Sequence, residues 1–168
     1  MPGTQREVTF RFLAEPTDVN FGGKVHGGAV MKWIDQAGYA CAAGWSGCYC
    51  VTVYVGGIQF ERPIQVGQIV EVRAQVVHTG STSIQVAVDV AARDATAAQA
   101  QRTTHCLMVF VAMDAERRPV AVPRYEPLDD EQRELSAYAQ HMMALRKEIE
   151  AERRRFLARF SGGEAEPG

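Results

Sequence analysis

Residues Gly27 to Gly44 read GGAVMKWIDQAGYACAAG. Val30, Met31, Trp33, Ile34, Ala37, Tyr39 and Ala40 lie around nearly the whole turn of a helix running from about Gly28 to Gly44, so this helix is expected to be covered by other structure. One carboxylate, Asp35, stands in its middle. Taking an ionised carboxylate out of water is costly unless it is paired, so a chain keeps one there only with compensation or a purpose. Immediately upstream, Pro16-Thr-Asp-Val-Asn20-Phe-Gly22-Gly23-Lys-Val-His26-Gly27-Gly28 forms a polar, glycine-dense approach. Together the two stretches mark a candidate active site at the N-terminal half of the helix.

Strand signals surround this helix. Val8 to Ala14 precede it, and four runs follow. Tyr49 to Phe60 carries the β-branched series Val51, Thr52, Val53, Val55 and stops at Arg62-Pro63, with Gly67 making the next turn. From Ile69 to His78, Val70, Val72, Ala74 and Val76 alternate with Glu71, Arg73 and Gln75; after the turn Gly80-Ser81-Thr82, Ile84, Val86, Val88 and Val90 alternate with Gln85, Ala87 and Asp89. Two consecutive period-2 strands with one polar face predict an antiparallel sheet covered on one side. Gln101 to Met113 is more evenly apolar, as expected of a strand closed in by neighbours or by a subunit contact. The expected fold class is α+β, with an antiparallel sheet wrapped around a central helix.

Composition limits the function classes. The 168 residues are 46% hydrophobic with a formal net charge of −2, typical of one globular domain and offering no field for nucleic acid or anionic lipid. Small molecules and copies of the chain itself are the expected partners. Cys41, Cys48, Cys50 and Cys106 lack metal-binding spacing and disulfide-scaffold density, so reduced thiols are expected. The N-terminus has no apolar signal core and no run reaches the roughly 20 apolar residues of a membrane span, so a cytoplasmic protein is expected, with no membrane partner. Residues 1–125 are read as the catalytic domain and 126–160 as an amphipathic C-terminal helix. Its stripe of Leu135, Tyr138, Met142, Leu145, Ile149 and Phe156 needs a partner surface in the same subunit or the next. Residues 161–168 are read as a flexible tail.

The string from Pro16 to Gly28, running into Met31-Lys-Trp-Ile-Asp35-Gln-Ala37-Gly38, resembles the signature of hotdog-fold acyl-CoA thioesterases of the bacterial short, single-domain type. The resemblance continues through Val51-Thr52-Val53, Phe60-Glu-Arg-Pro63-Ile-Gln-Val66-Gly67, Gly80-Ser-Thr82-Ser83 and Val109-Phe110-Val111-Ala112-Met113-Asp114 to Pro123, about three quarters of the chain. It implies a double-hotdog homodimer as the minimal active unit, commonly assembled as a trimer of dimers. It also implies hydrolysis of an acyl-CoA substrate to CoA and a carboxylic acid, with no metal and no organic cofactor.

By the same resemblance Asn20 of one subunit faces Asp35 of the other. Thioester hydrolysis needs an attacking water or carboxylate, a donor for the developing oxyanion and a pocket for the leaving group. Asp35 is assigned as general base or direct nucleophile, Asn20 as the group orienting water or carbonyl, and the Gly28 backbone N–H, at the positive end of the helix, as oxyanion donor. His26, Gly27, Thr52 and the turn Gly80, Ser81, Thr82 and Ser83 are assigned to substrate binding. His26 is read as a solvent-facing or loop-stabilising residue rather than half of a dyad with Asp35, while Thr52 and Ser83 are either ordinary strand residues or donors to the active groups. Asn20 before glycines also fits an Asx-turn, and Gly27-Gly28 a close packing point.

The sequence departs from the family pattern at two places. Many relatives carry Arg where Ser81 stands, so cationic help for the CoA phosphates falls to Arg62, Arg117, Arg118 or Arg124. Gly56-Gly57 replaces bulkier residues and is expected to reshape the acyl pocket. Two other functions fit the same fold: an acyl-CoA-binding sensor without turnover, and an enoyl-thioester hydratase, whose usual His-bearing motif is not found here.

Overall fold

The computed structural model describes residues 1–160. In chain order it contains β1 (Glu7–Leu13), a single 3-10 turn (Pro16–Asp18), α1 (Gly27–Ser46), β2 (Tyr49–Phe60), β3 (Ile69–Thr79), β4 (Ser83–Arg93), β5 (Gln101–Met113) and α2 (Asp130–Phe160). The expected tail, 161–168, lies outside the described residues. The strands form one sheet in the order β1-β3-β4-β5-β2, every neighbouring pair antiparallel. The α+β hotdog expectation is met: α1 lies on the inner face of the curled sheet, and α2 covers part of the outer face.

Alternation explains the inner face. Val70, Val72, Ala74 and Val76 of β3 and Ile84, Val86, Val88 and Val90 of β4 are buried with Ile34, Ala37, Cys41 and Trp45 of α1 in one core. Alternation puts Val77, the residue after Val76, on the opposite face, at the point where the β3–β4 register shifts. There Val77, Ala87 of β4 and Leu107 of β5 are buried beneath Leu135, Ala139 and Met142 of α2. This second cluster corrects the expectation of one polar sheet face, and it gives the C-terminal helix its partner within the same protomer for its first half. It also accounts for the even apolarity of β5, whose Cys106, Met108 and Phe110 face α1 while Leu107 faces α2. Arg6 ties the return path down: its guanidinium lies over both Trp45 and Tyr125, 5.7 and 5.1 Å from the ring centroids, and donates to the Glu126 carbonyl and to Gln132 of α2.

The helix α1 itself departs from expectation. It is buried along one stripe and open along another, where Met31, Asp35 and Tyr39 succeed one another at four-residue spacing. The apolar residues spread around its turn are therefore not all covered by one protomer. Tyr49, Val53 and Val55 of the adjoining β2 are exposed as well, and β2 is an unpaired sheet edge. An apolar, unpaired edge strand is a ready surface for a second chain. On its buried side α1 approaches β5 so closely that a Cβ on Gly38 would stand 2.8 Å from Met108 Sδ and 3.0 Å from Phe110 Cζ. Among the described residues no helix is long and apolar enough to cross a membrane.

Candidate active site

The Asp35 carboxylate accepts a hydrogen bond of 2.9 Å from Thr52 Oγ1, which joins the open stripe of α1 to the edge strand β2. Asp35 is exposed in the single protomer, contrary to the buried carboxylate expected from its apolar neighbours. The reason is angular: a residue next to Ile34 in the chain turns about 100° away from the core it packs into. Of the two readings of Thr52, the structure selects the donor.

Asn20 sits in the loop after the 3-10 turn. Its Oδ1 accepts from the backbone N–H groups of Gly22 at 2.8 Å and Lys24 at 3.2 Å, and its own N–H donates to the Lys24 carbonyl at 2.7 Å. This is the Asx-turn foreseen as the plain alternative, and it leaves a consequence for chemistry. With the oxygen held by two donors, the side chain presents its NH₂ outward, and that group has no acceptor among the described residues. The loop is pinned by Val25 N–H to the Ile64 carbonyl at 3.0 Å, His26 N–H to the Asp18 carbonyl at 2.9 Å, and Lys24 Nζ to Gln65 Oε1 at 2.6 Å.

His26 is the N-cap of α1: its Nδ1 accepts from Ala29 N–H at 3.2 Å, which requires that nitrogen to be unprotonated. The loop-stabilising reading holds, and no contact joins His26 to Asp35. The cap also explains the glycine pair. A Cβ on Gly28 would lie 2.8 Å from His26 Cε1, and one on Gly27 3.1 Å from Phe60 Cζ. The Gly28 N–H belongs to the first turn, where helix donors have no intrahelical acceptor, and it stays available beside the helix's positive end.

Asn20 and Gly27 share one wall of a cavity of about 360 Å³, closed by Phe60, Arg62, Ile64 and Thr104. Thr104 was not singled out from sequence. Its Oγ1 is fully buried without a hydrogen-bond partner among the described residues, and the available signal was a threonine pair, Thr103-Thr104, entering an apolar strand. Arg62 is the one of the four candidate phosphate-binding arginines on this cavity; it donates to Gln101, while Arg118 is held by Asp114 at 3.0 Å.

The protomer does not bring all the candidates together. Asp35 lies eight residues after Gly27, about 12 Å along the helix, and does not line the cavity that holds Asn20. The Gly80–Ser83 turn is fixed by Gly80 N–H to Ser83 O at 2.9 Å, Ala112 N–H to Thr82 O at 3.1 Å and Val122 N–H to Ser81 O at 3.0 Å. It touches neither Asn20 nor Asp35: its neighbour Ile84 pairs with Phe110, which pairs with Thr52, placing β4 two strand spacings, about 10 Å, from β2. Gly56 and Gly57 open a separate cavity on the outer face, with Gly57 at φ 68°. One chain thus keeps two polar arrangements apart, a carboxylate with its hydroxyl donor and an amide beside a helix N-terminus.

The family model of the thioesterase superfamily matches residues 22–98, which include Gly28, Asp35 and Thr52. The acyl-CoA thioester hydrolase YciA of Escherichia coli K12 is 34% identical over 122 residues, covering 71% of this chain and 92% of its own length. A solved hexameric acyl-CoA thioesterase superposes with a TM-score of 0.85 at 28% identity over 90% of this chain and 97% of its own. The acyl-CoA hydrolase of Bacillus cereus superposes with a TM-score of 0.86 at 25% identity, over 94% and 96% of the two chains. The strand order, the helix with its Asp35–Thr52 pair and a relative this similar over nearly its whole length lead to one assignment: this chain belongs to the hotdog-fold thioesterase superfamily.

Proposed function

We propose that this thioesterase hydrolyses acyl-CoA to free CoA and a carboxylic acid, at a site completed by two copies of the chain. The observation that carries the reading is the separation of the half-sites. Asp35, oriented by Thr52, lies on the open stripe of α1, whereas the free amide of Asn20 and the Gly28 N–H lie at the N-terminus of that helix, about two turns away. Two-fold pairing through the exposed β2 edge would lay two such helices side by side and set Asn20 and Gly28 of one copy against Asp35 of the other. The hexameric assembly of a solved relative supports an oligomer built on that dimer, a trimer of dimers.

In this site the Gly28 N–H and the positive end of α1 stabilise the oxyanion as the thioester carbonyl is attacked. Asn20 donates its NH₂ to the attacking water or the carbonyl. Asp35 takes the proton from that water, or attacks the carbonyl carbon itself and forms a mixed anhydride that water then cleaves. The thiolate departs without a dedicated acid, because a thiol is far more acidic than an alcohol. No metal or organic cofactor enters this sequence of steps. Arg62, at the rim of the Asn20 cavity, is the side chain best placed to meet a CoA phosphate, while Ser83 and the turn before it stand two strand spacings from β2. The four unpaired cysteines support a reducing, cytoplasmic setting.

The test is release of free thiol from a panel of acetyl-, butyryl-, octanoyl-, palmitoyl- and benzoyl-CoA by wild type and Asp35→Ala. Turnover of at least one ester, reduced by orders of magnitude in the variant, is expected. Binding of the esters without turnover would overturn the hydrolase reading in favour of a sensor, and unchanged turnover in Asp35→Ala would overturn the site.

A further inference from the structure

The course of α2 carries an inference beyond the active site. At its start Gln132 bonds Arg6 beside β1; Leu135, Ala139 and Met142 then pack over β3, β4 and β5; and the Arg146 guanidinium stacks 4.0 Å above the Tyr54 ring of β2. From Gln132 to Arg146 the helix advances about 21 Å, and five strands span about 19 Å, so α2 crosses the sheet nearly at right angles and reaches its open edge at Arg146. Residues 147–160 continue for about 21 Å past β2.

Along that overhang Ile149, Phe156 and Phe160 are 65%, 56% and 69% exposed among the described residues, and the rings of Phe156 and Phe160 lie tilted to each other with centroids 4.8 Å apart. Beside α2, on the same outer face, a cavity of about 540 Å³ lies between Tyr54 and Gly57 of β2, Leu107 of β5, and Tyr138, Met142 and Met143 of α2. Its wall of Tyr138, Met142 and Met143 suits an apolar side chain, the rest of its lining includes Gln59, Glu61, Arg102 and His105, and the β2–β5 register slips beside it at Gly56.

We infer that the distal half of α2 crosses the subunit boundary and seats Ile149 and Phe156 in this cavity of a second copy. The inference rests on the edge-to-edge dimer proposed above. Pairing β2 with its symmetry mate places the second copy's β2 about 5 Å and its β5 about 10 Å beyond the edge, distances α2 covers between about Ile149 and Arg153. The two-fold axis makes the exchange reciprocal, so two α2 helices run antiparallel, each flanking the cavity the other fills.

The test replaces Phe156, at an exposed position, with the photocrosslinking residue p-benzoylphenylalanine in the full chain, irradiates the native oligomer and maps the adducts by mass spectrometry. A second variant carries the same residue at Ile149. The expected product is a covalent dimer on a denaturing gel, joined to a peptide containing Tyr54, Leu107 or Met142-Met143, methionine being a favoured target of this probe. An oligomer by native mass spectrometry that gives no inter-subunit adduct, or adducts only to other regions, overturns the helix exchange while leaving the dimer intact. A monomer in the native spectrum overturns the dimer and the exchange with it.

Discussion

Thr52→Val removes one hydroxyl and tests whether the bond to Asp35 serves the reaction. The contact is 2.9 Å from a neutral donor to a carboxylate. Hydrogen bonds to charged groups contribute about 1.5–3 kcal/mol, and the lower part of that range suits a pair exposed in one protomer, so about 1.5–2 kcal/mol is at stake. At 1.36 kcal/mol per decade, kcat is expected to fall about tenfold to thirtyfold. Thr52→Ser, which keeps the hydroxyl, should stay within about threefold of wild type. Thiol release from the best acyl-CoA of the panel measures the rate. The decisive comparison is a double-mutant cycle with Asp35→Asn, in which Thr52→Val should add little to the loss already present. A valine variant as active as wild type, or one whose loss is undiminished in the Asp35→Asn background, would refute the claim that Thr52 acts through Asp35.

Two further outcomes follow from burial. Thr104→Val deletes a buried hydroxyl without a partner among the described residues, and a gain of about 1 kcal/mol is expected, raising Tm by about 2–4 °C in a chain of this size; a lower Tm would show that the hydroxyl is bonded in solution. Burial pushes the Cys41 and Cys106 thiols up to about 12 and raises that of Cys50, whereas Cys48 is half-buried. Iodoacetamide at pH 8 should therefore alkylate the folded protein at Cys48 first and reach the others only in denaturant, as read by peptide mass mapping; rapid labelling of Cys41 or Cys106 in the native state would contradict the packing.

Much of the architecture was written locally. A β-branched run stopped by Arg62-Pro63 placed β2, and an evenly apolar run placed β5, at the residues observed, while period-two alternation marked β3 and β4, because such patterns need only near neighbours to declare themselves. The polar, glycine-rich approach from Pro16 to Gly28 likewise announced a loop that caps a helix, and His26, Asn20 and the glycines occupy it as their chemistry requires: ring nitrogen on the cap, Asn oxygen on the turn. The family followed from the combined spacing of those residues.

Other features depended on which faces meet, and only the folded chain decided that. The apolarity of α1 suggested complete burial. Yet Met31, Asp35 and Tyr39 share an open stripe, since a run of apolar residues does not tell which side is covered by the same protomer and which awaits another. Thr52 became a donor through the packing of β2 beside α1, a contact across 17 positions that no local pattern encodes. The second apolar cluster arose because α2 folds back over the outer face, where Val77, Ala87 and Leu107 happen to stand together on three neighbouring strands. Side-chain identity and short-range periodicity thus specified the elements and the chemical groups, while strand register and helix rotation, set by packing over long separations, fixed which of those groups stand together.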